Sequence, residues 1–199
     1  MRFFLFVSFL FFSTIFADAP SSIDGIKLKK IEDFLSSMIS LEADIKMDID
    51  SGNKQIPAER HEGKIWLDRG NGLLRINYGK SFMVAKKGTL VVRQENERPQ
   101  EYMTDDTPAG ILLCPKIDFE SKGIVVKSLT SIKDLWQLSL NYESPVGSVP
   151  VVLYFRPNPV MVLMGWAIQN PDGSVTNVYL NPDKTHMAIK IDPSVFKID

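Results

Sequence analysis

The spacing of hydrophobic and polar residues changes along the chain, and each change predicts a different element. Residues 3–16 form an almost unbroken apolar run after Met1 and Arg2. In residues 24–37 apolar side chains recur every three or four positions, which predicts an amphipathic helix. Residues 41–50 alternate between apolar and polar side chains, which predicts a strand with one face in water.

Beyond residue 53 the pattern predicts one strand after another. The predicted strands are residues 62–68, 74–78, 82–86, 89–94, 123–129, 135–141, 149–155, 160–169, 175–180 and 187–191. Lys87-Gly88 and Asp172-Gly173 are hairpin signals, because glycine accepts the positive φ that tight turns require. Connections this short indicate antiparallel pairing, since parallel strands need crossovers of a dozen or more residues.

A short apolar helix is predicted between the two groups of strands, at residues 107–113. Asp106 or Thr107 is a plausible cap, and Pro108 is predicted at the first helical position. Pro115 ends the helix, because the residue before a proline avoids helical geometry. A short apolar helix in a β protein needs a surface to cover, and the open end of a curved sheet would provide one.

The N-terminal apolar run predicts export. It is shorter than the roughly 20 residues that span a bilayer, and it is typical of a secretory signal peptide. Cleavage after Ala17 is favoured over cleavage after Ala19, which would leave Pro20 at the new N-terminus. We therefore expect a signal peptide at residues 1–17 and a soluble single domain at residues 18–199. An uncleaved N-terminal anchor is the alternative.

Charge and cysteine content further narrow the classes of protein to which the chain can belong. The chain has 23 basic and 24 acidic residues, and removing Arg2 with the leader leaves 22 and 24. This balance provides no broad basic field for nucleic acid. Cys114 is the only cysteine, so no intramolecular disulfide can form, and stability is expected to come from burial of a core.

No pattern in the sequence is typical of catalysis or of metal binding. His61 and His186 are the only histidines and do not have metal-ligand spacing, and the common nucleophile, phosphate-loop and dinucleotide motifs are absent. Residues 48–52 resemble a calcium loop only superficially. Asp105-Asp106 is better explained by helix capping, and Cys114 as a small buried apolar group. We expect a protein that is not an enzyme and has no catalytic residues, metal or cofactor, although acid pairs formed by folding stay open.

Methionine and tryptophan favour a hydrophobic ligand. Seven of the eight methionines lie in the mature chain, together with Trp66, Trp136 and Trp166. The flexible thioether of methionine suits a cavity that accepts variable apolar guests. The alternative is that these side chains form an ordinary core.

Several motifs together resemble those of a known family. The sequence reads GKIWLDR at residues 63–69, LRINY at 74–78 and GTLVV at 88–92. Thr107-Pro108 opens the short apolar helix, and LWQL follows at residues 135–138. This set resembles the periplasmic outer-membrane lipoprotein carrier proteins, the LolA-like family. Each motif alone is weak, but the resemblance covers nearly the whole mature chain.

The resemblance implies a fold, a location and a function. The fold is mainly β, a highly curved antiparallel sheet forming an incomplete barrel, with helices acting as a lid over an apolar cavity. The cavity would shield the acyl chains of lipoproteins. A soluble, monomeric periplasmic carrier would take them from an inner-membrane transporter and pass them to an outer-membrane receptor.

The resemblance also implies residue roles. Arg69 would hydrogen-bond lid carbonyls near Leu112 and Leu113 and keep the empty cavity closed. The predicted residues of the acyl-chain cavity are Leu28, Ile31, Leu35, Leu74, Ile76, Tyr78 and Ile111.

The sequence also departs from the family pattern. Gly70 replaces the usual proline after Arg69, and the turn is one residue longer. Ile76 and Val91 stand where the family has aromatic residues, which predicts smaller cavity walls. Arg75 matches a second family arginine, with a solvated position on the convex face as its simplest explanation.

Three alternatives to the lipoprotein carrier remain. The first is a related envelope-stress regulatory module, which would carry an additional domain for which 182 mature residues leave no room. The second is a binding module for another hydrophobic molecule, such as a free fatty acid or a glycolipid. The third is an unrecognised periplasmic enzyme.

Overall fold

The chain folds into two helices and eleven strands in the part that the computed structural model describes, residues 24–53, 55–121, 123–145 and 147–198. The predicted signal peptide lies outside these residues. The helices are α1 (Gly25–Ser37) and α2 (Ala109–Leu113). The strands are β1 (Ser40–Asp50), β2 (Glu59–Asp68), β3 (Leu73–Tyr78), β4 (Ser81–Lys86), β5 (Thr89–Arg93), β6 (Gln100–Met103), β7 (Ile124–Ile132), β8 (Leu135–Ser144), β9 (Gly147–Arg156), β10 (Val162–Gln169) and β11 (Val175–Met187).

Helix α1 forms where the spacing of apolar residues predicted it. The Asp24 carboxylate caps it by accepting the backbone N–H groups of Ile26 and Lys27, each at 3.1 Å. Its buried face carries Ile31 and Leu35. Neither α1 nor the five-residue α2, the helices among the described residues, is long and apolar enough to cross a membrane.

All eleven strands belong to one antiparallel sheet. Their order is β6-β5-β4-β3-β2-β1-β11-β10-β9-β8-β7, so the first and last strands pair at the centre and β6 and β7 form the two edges. The concave face of this open, curved sheet carries the hydrophobic core, with the helices against it. The predicted fold class, a mainly β protein with an incomplete antiparallel barrel and covering helices, is confirmed.

Two glycine positions show how the sequence fixes the sheet. Lys87 and Gly88 both have positive φ, 54° and 82°, as the predicted two-residue hairpin between β4 and β5 requires. Gly63 allows β2 to approach β3 closely, because a Cβ at this position would lie 1.9 Å from the carbonyl oxygen of Asn77.

The structure differs from the sequence prediction at three places. Strand β6 was not predicted, and all four of its residues are exposed, so no apolar face marks it. The prediction of a separate final strand at residues 187–191 is wrong, because β11 continues to Met187. Pro182 lies where the pairing of β11 with β1 is irregular. Pro108 is the cap of α2 and not its first residue, and the predicted side-chain cap from Asp106 or Thr107 is wrong.

The C-terminal segment covers part of the convex face. Phe196 ends a 3-10 turn (Pro193–Phe196) and is 1% exposed. Arg75 holds this segment by donating to the carbonyl oxygens of Val195 at 3.0 Å and Lys197 at 2.6 Å. The convex location predicted for Arg75 is therefore correct, but its side chain is a half-buried clamp and not merely solvated.

Candidate binding cavity

A cavity of about 780 Å³ lies on the concave side of the sheet. Its buried walls are side chains that alternate inward along strands from both halves of the sheet. They include Met47, Leu74, Ile76, Leu153, Trp166 and Val178. The volume is in the range of pockets that enclose drug-sized ligands, so these walls can hold a sizeable apolar guest.

The cavity opens to solvent through a mouth of exposed lining residues. The mouth consists of Gln94, Glu97, Gln100, Tyr102, Gly147, Ser148 and Pro171. Glu97 is the one charged residue in this set. The site is therefore amphipathic, with apolar walls inside and a polar opening.

Helix α2 forms one wall of the cavity. Ile111 is 4% exposed and lines the cavity together with Leu112. The segment leading into α2 is tied to the opposite edge of the sheet, because the Tyr142 hydroxyl donates to the Asp105 carbonyl oxygen at 2.8 Å. The chain from β6 to β7, which carries α2, thus bridges the two halves of the sheet.

Helix α1 does not line the cavity, unlike the sequence prediction. Ile31 and Leu35 are buried in the continuous core, and Leu28 packs against that core. Phe34 meets Phe155 edge to face with ring centroids 6.1 Å apart. Core side chains therefore occupy the part of the concave face that α1 covers.

The other predicted residues divide between the cavity and the core. Leu74, Ile76, Ile111 and Leu112 line the cavity. Tyr78 lies 5.8 Å from the His61 ring in the core, and burial raises the pKa of its hydroxyl above the usual value. Leu113 is half-buried and packs against the core outside the cavity lining.

Two further expectations are wrong. Val91 is not a cavity wall, because it faces away from the cavity between its lining neighbours Leu90 and Val92. Cys114 is exposed and not a buried apolar group. The continuous apolar run of β5 gave no alternation from which to choose the inward face.

Arg69 joins the two helices. It follows β2 in a 3-10 turn, which Asp68 caps by accepting the backbone N–H of Asn71 at 3.2 Å. Its Nε donates to the Leu112 carbonyl oxygen of α2 at 2.8 Å, and Nη1 donates to the Leu35 carbonyl oxygen of α1. The sequence prediction named the first contact but not the second.

The guanidinium is buried without a carboxylate partner among the described residues. Arg69 is 3% exposed, and its Nη2 has no hydrogen-bond partner in that part of the chain. Burial lowers the pKa of Arg69, but an arginine still carries its charge. Its favourable electrostatic partners are the carbonyl ends of two helices, where a positive charge is stabilising.

The described residues bring together no group of three or more side chains suited to holding a metal ion. His61 and His186 lie on β2 and β11, and neither lines the cavity. The polar side chains of the cavity are mostly amides and hydroxyls near its opening. The chemistry that this arrangement supports is the enclosure of an apolar ligand.

Comparison with known proteins gives structural matches. No protein-family model matches the chain, and no curated protein sequence matches it significantly. A structure from Nitrosomonas europaea is similar over 85% of this chain and 97% of its own, with a TM-score of 0.49 and 8% identity. It is a LolA superfamily protein.

Two other solved structures are similar. One is a DUF1329 family protein from Desulfovibrio piger, with a TM-score of 0.36, 11% identity, and coverage of 87% of this chain and 95% of that one. The other is the lipoprotein LppX of Mycobacterium tuberculosis, with a TM-score of 0.37, 8% identity, and coverage of 79% and 94%. At this level of similarity, the function has to be inferred from the chain's own cavity and side chains.

Proposed function

We propose that this protein is a periplasmic carrier that encloses the acyl chains of lipoproteins and moves them from the inner to the outer membrane. In this role it accepts a lipoprotein from an inner-membrane transporter and delivers it to an outer-membrane receptor. It works as a monomer after removal of the leader at residues 1–17. The observation that carries the proposal is the large apolar cavity that opens to solvent through a polar mouth.

The cavity volume suits acyl chains. A methylene group takes up about as much space as a water molecule, roughly 30 Å³, so about 780 Å³ corresponds to roughly 25 methylenes. Each methylene removed from water contributes about 0.8 kcal/mol. When a ligand with long acyl chains leaves a membrane, enclosure in the cavity therefore offsets the cost of exposing those chains to water.

A wall that moves would help the ligand to enter and leave, and α2 is suited to this role. It has five residues, so its position depends on tertiary contacts and not on intrinsic helix stability. Arg69 is proposed to act as a latch that holds α2 against α1 through the carbonyl oxygens of Leu112 and Leu35. Closing the latch competes with the ligand for the same wall and thereby limits affinity.

The test is extraction of a lipoprotein from membranes. Membranes that hold a radiolabelled lipoprotein and its transporter are incubated with the purified mature protein, and soluble one-to-one complex is measured. Val92→Trp fills the cavity from β5, since Val92 lines it. Arg93→Trp is the matched control, because Arg93 is the next residue and is exposed on the other face, 5.9 Å from the Phe82 ring.

The expected result is soluble complex with the wild type and with Arg93→Trp, and a large loss with Val92→Trp. No complex with any of the three, while a fluorescent fatty acid still binds, would assign the chain to general lipid binding. Failure to bind either ligand would overturn the proposal.

A further inference from the structure

The charged residues of the cavity lining indicate which ligand headgroups the cavity accepts. Among the described residues that line the cavity there is no lysine, arginine or histidine. The charged residues in the lining are Glu97 and Asp106. Neither forms an ion pair with a described basic side chain. An anionic group at the opening would therefore meet only like charge from the lining.

The remaining polar lining matches uncharged groups. Gln94, Gln100 and Gln169 present side-chain amides, which can both donate and accept hydrogen bonds. The Asn170 amide nitrogen already donates to Ser174 and Thr176, so this side chain offers a ligand its carbonyl oxygen as an acceptor. Esters, amides and hydroxyls are satisfied by such partners, whereas a carboxylate or phosphate that leaves water needs a compensating positive charge or several strong donors.

We propose that the cavity selects acyl-chain ligands whose headgroup is uncharged and forms hydrogen bonds, and that Glu97 and Asp106 disfavour ligands with an anionic headgroup. This inference rests on the proposed function, and it names the ligand class of the same cavity. Of the lipid classes that an apolar cavity could hold, it favours a glyceryl-linked acyl anchor over a free fatty acid or an acidic phospholipid.

The size of the effect follows from Coulomb's law. Two unit charges 4 Å apart interact with about 1 kcal/mol in water and more strongly where water is partly excluded. Two carboxylates at somewhat larger distances are therefore expected to weaken binding of an anionic ligand about fivefold or more at low ionic strength. Salt screens such exposed charges, so the effect decreases as ionic strength increases.

The experiment measures how a dioctanoyl glycerol and the phosphatidic acid with the same acyl chains displace a fluorescent diacylglycerol from the mature protein. The test variant is Glu97→Gln combined with Asp106→Asn, which keeps side-chain size and removes both charges. The control combines Asp134→Asn and Asp183→Asn, two exposed carboxylates that do not line the cavity. It makes the same change in net charge.

At low ionic strength we expect the test variant to bind phosphatidic acid at least about fivefold more tightly than the wild type, and diacylglycerol equally well. The control should leave both affinities unchanged, and 0.5 M salt should remove the difference. Equal gains for both ligands, or no gain for phosphatidic acid, would overturn headgroup selection but leave the carrier function standing. If the fluorescent diacylglycerol itself does not bind, the carrier function fails too.

Discussion

Replacing Arg69 tests whether α2 is held by a latch. Arg69→Leu removes the donors to the carbonyl oxygens of Leu112 and Leu35 and keeps an apolar side chain in a position that is 3% exposed. Arg69→Lys is the matched variant, because it keeps the charge but cannot present the planar fork that reaches both carbonyl oxygens.

The contacts of α2 set the expected change in the free energy of its opening. A hydrogen bond from a charged donor contributes about 1.5–3 kcal/mol. The other main contact of α2 is Ile111, whose burial is worth about 2–3 kcal/mol. Losing the bond to Leu112 should therefore lower the free energy of α2 opening by about 1.5–3 kcal/mol, which corresponds to roughly 10- to 150-fold faster amide exchange.

The free energy of global unfolding should change less than the free energy of α2 opening. The wild type carries the desolvation cost of a buried guanidinium whose Nη2 has no described partner, and Arg69→Leu relieves that cost. The loss of two hydrogen bonds and this relief oppose each other, so we expect the free energy of unfolding to change by less than about 2 kcal/mol. Much faster amide exchange in α2 with only a small change in the free energy of unfolding would distinguish a latch from a residue that only stabilises the fold.

The assay is hydrogen exchange of the α2 amides. The N–H of Cys114 donates to the Gly110 carbonyl oxygen at 2.9 Å, and that of Ile111 donates to Pro108 at 3.1 Å. Both should exchange faster in Arg69→Leu, and to an intermediate extent in Arg69→Lys, while central strand amides stay protected. Wild-type exchange rates at both amides in a folded Arg69→Leu protein would refute the latch.

Three further predictions concern stability. Phe196→Ala should lower the free energy of unfolding by about 3–5 kcal/mol in denaturant melts, because the ring is buried, yet leave ligand affinity unchanged, because it covers the convex face. Gly63→Ala should destabilise by more than about 3 kcal/mol in the same melts, since its Cβ would collide with the Asn77 carbonyl oxygen. Burial raises the pKa of Tyr154 from 10.0 to about 12, so the folded state keeps its proton longer than the unfolded state. Below pH 10 the hydroxyl is protonated in both states, so the free energy of unfolding keeps its full value. As the pH rises from 10 to 12 the unfolded state loses the proton first, so the free energy of unfolding should fall by up to about 2 kcal/mol after allowance for partial exposure. Tyr154→Phe should not show this fall in alkaline melts.

Each of these has a control and a contradicting result. Gly25→Ala places a Cβ with no atom within 4 Å and should be harmless, so equal effects of Gly25→Ala and Gly63→Ala would contradict the steric argument. Weaker ligand binding in a folded Phe196→Ala protein would contradict the separation of convex and concave faces. An alkaline stability curve of Tyr154→Phe that parallels the wild type would contradict the assigned pKa.

Local signals predicted most of the fold. The period of α1, the alternation of β1 and the glycine hairpins are all encoded in neighbouring residues, and each appears where it was predicted. β6 escaped prediction because an exposed edge strand needs no apolar face. The extension of β11 escaped because a proline that usually ends a strand lies in an irregularity that only the pairing with β1 supports.

The site could be predicted only in part. Leu74, Ile76 and Ile111 were found because their motifs fix their elements. The wall from Leu153 was missed, and Trp166 was named only as a general sign of a hydrophobic ligand, since strands from the two halves of the sheet meet only in three dimensions. The placement of α1 depends on Phe34 reaching Phe155, a contact across more than a hundred residues that no local pattern reports.

The topology explains why α2 can move without cost to the sheet. The segment that carries α2 leaves one edge strand, β6, and enters the other, β7, so no ladder hydrogen bond has to break when α2 swings away. Ile117 and Phe119, each 3% exposed, anchor the end of this segment in the core. The main attachments of α2 and the turn before it are the burial of Ile111, the bond from Arg69 and the bond from Tyr142, together about 4–7 kcal/mol. At about 0.8 kcal/mol per methylene, roughly five to nine buried methylenes offset that total. An acyl chain longer than this can open the wall by its own burial, whereas a shorter chain has to fit the cavity as it stands.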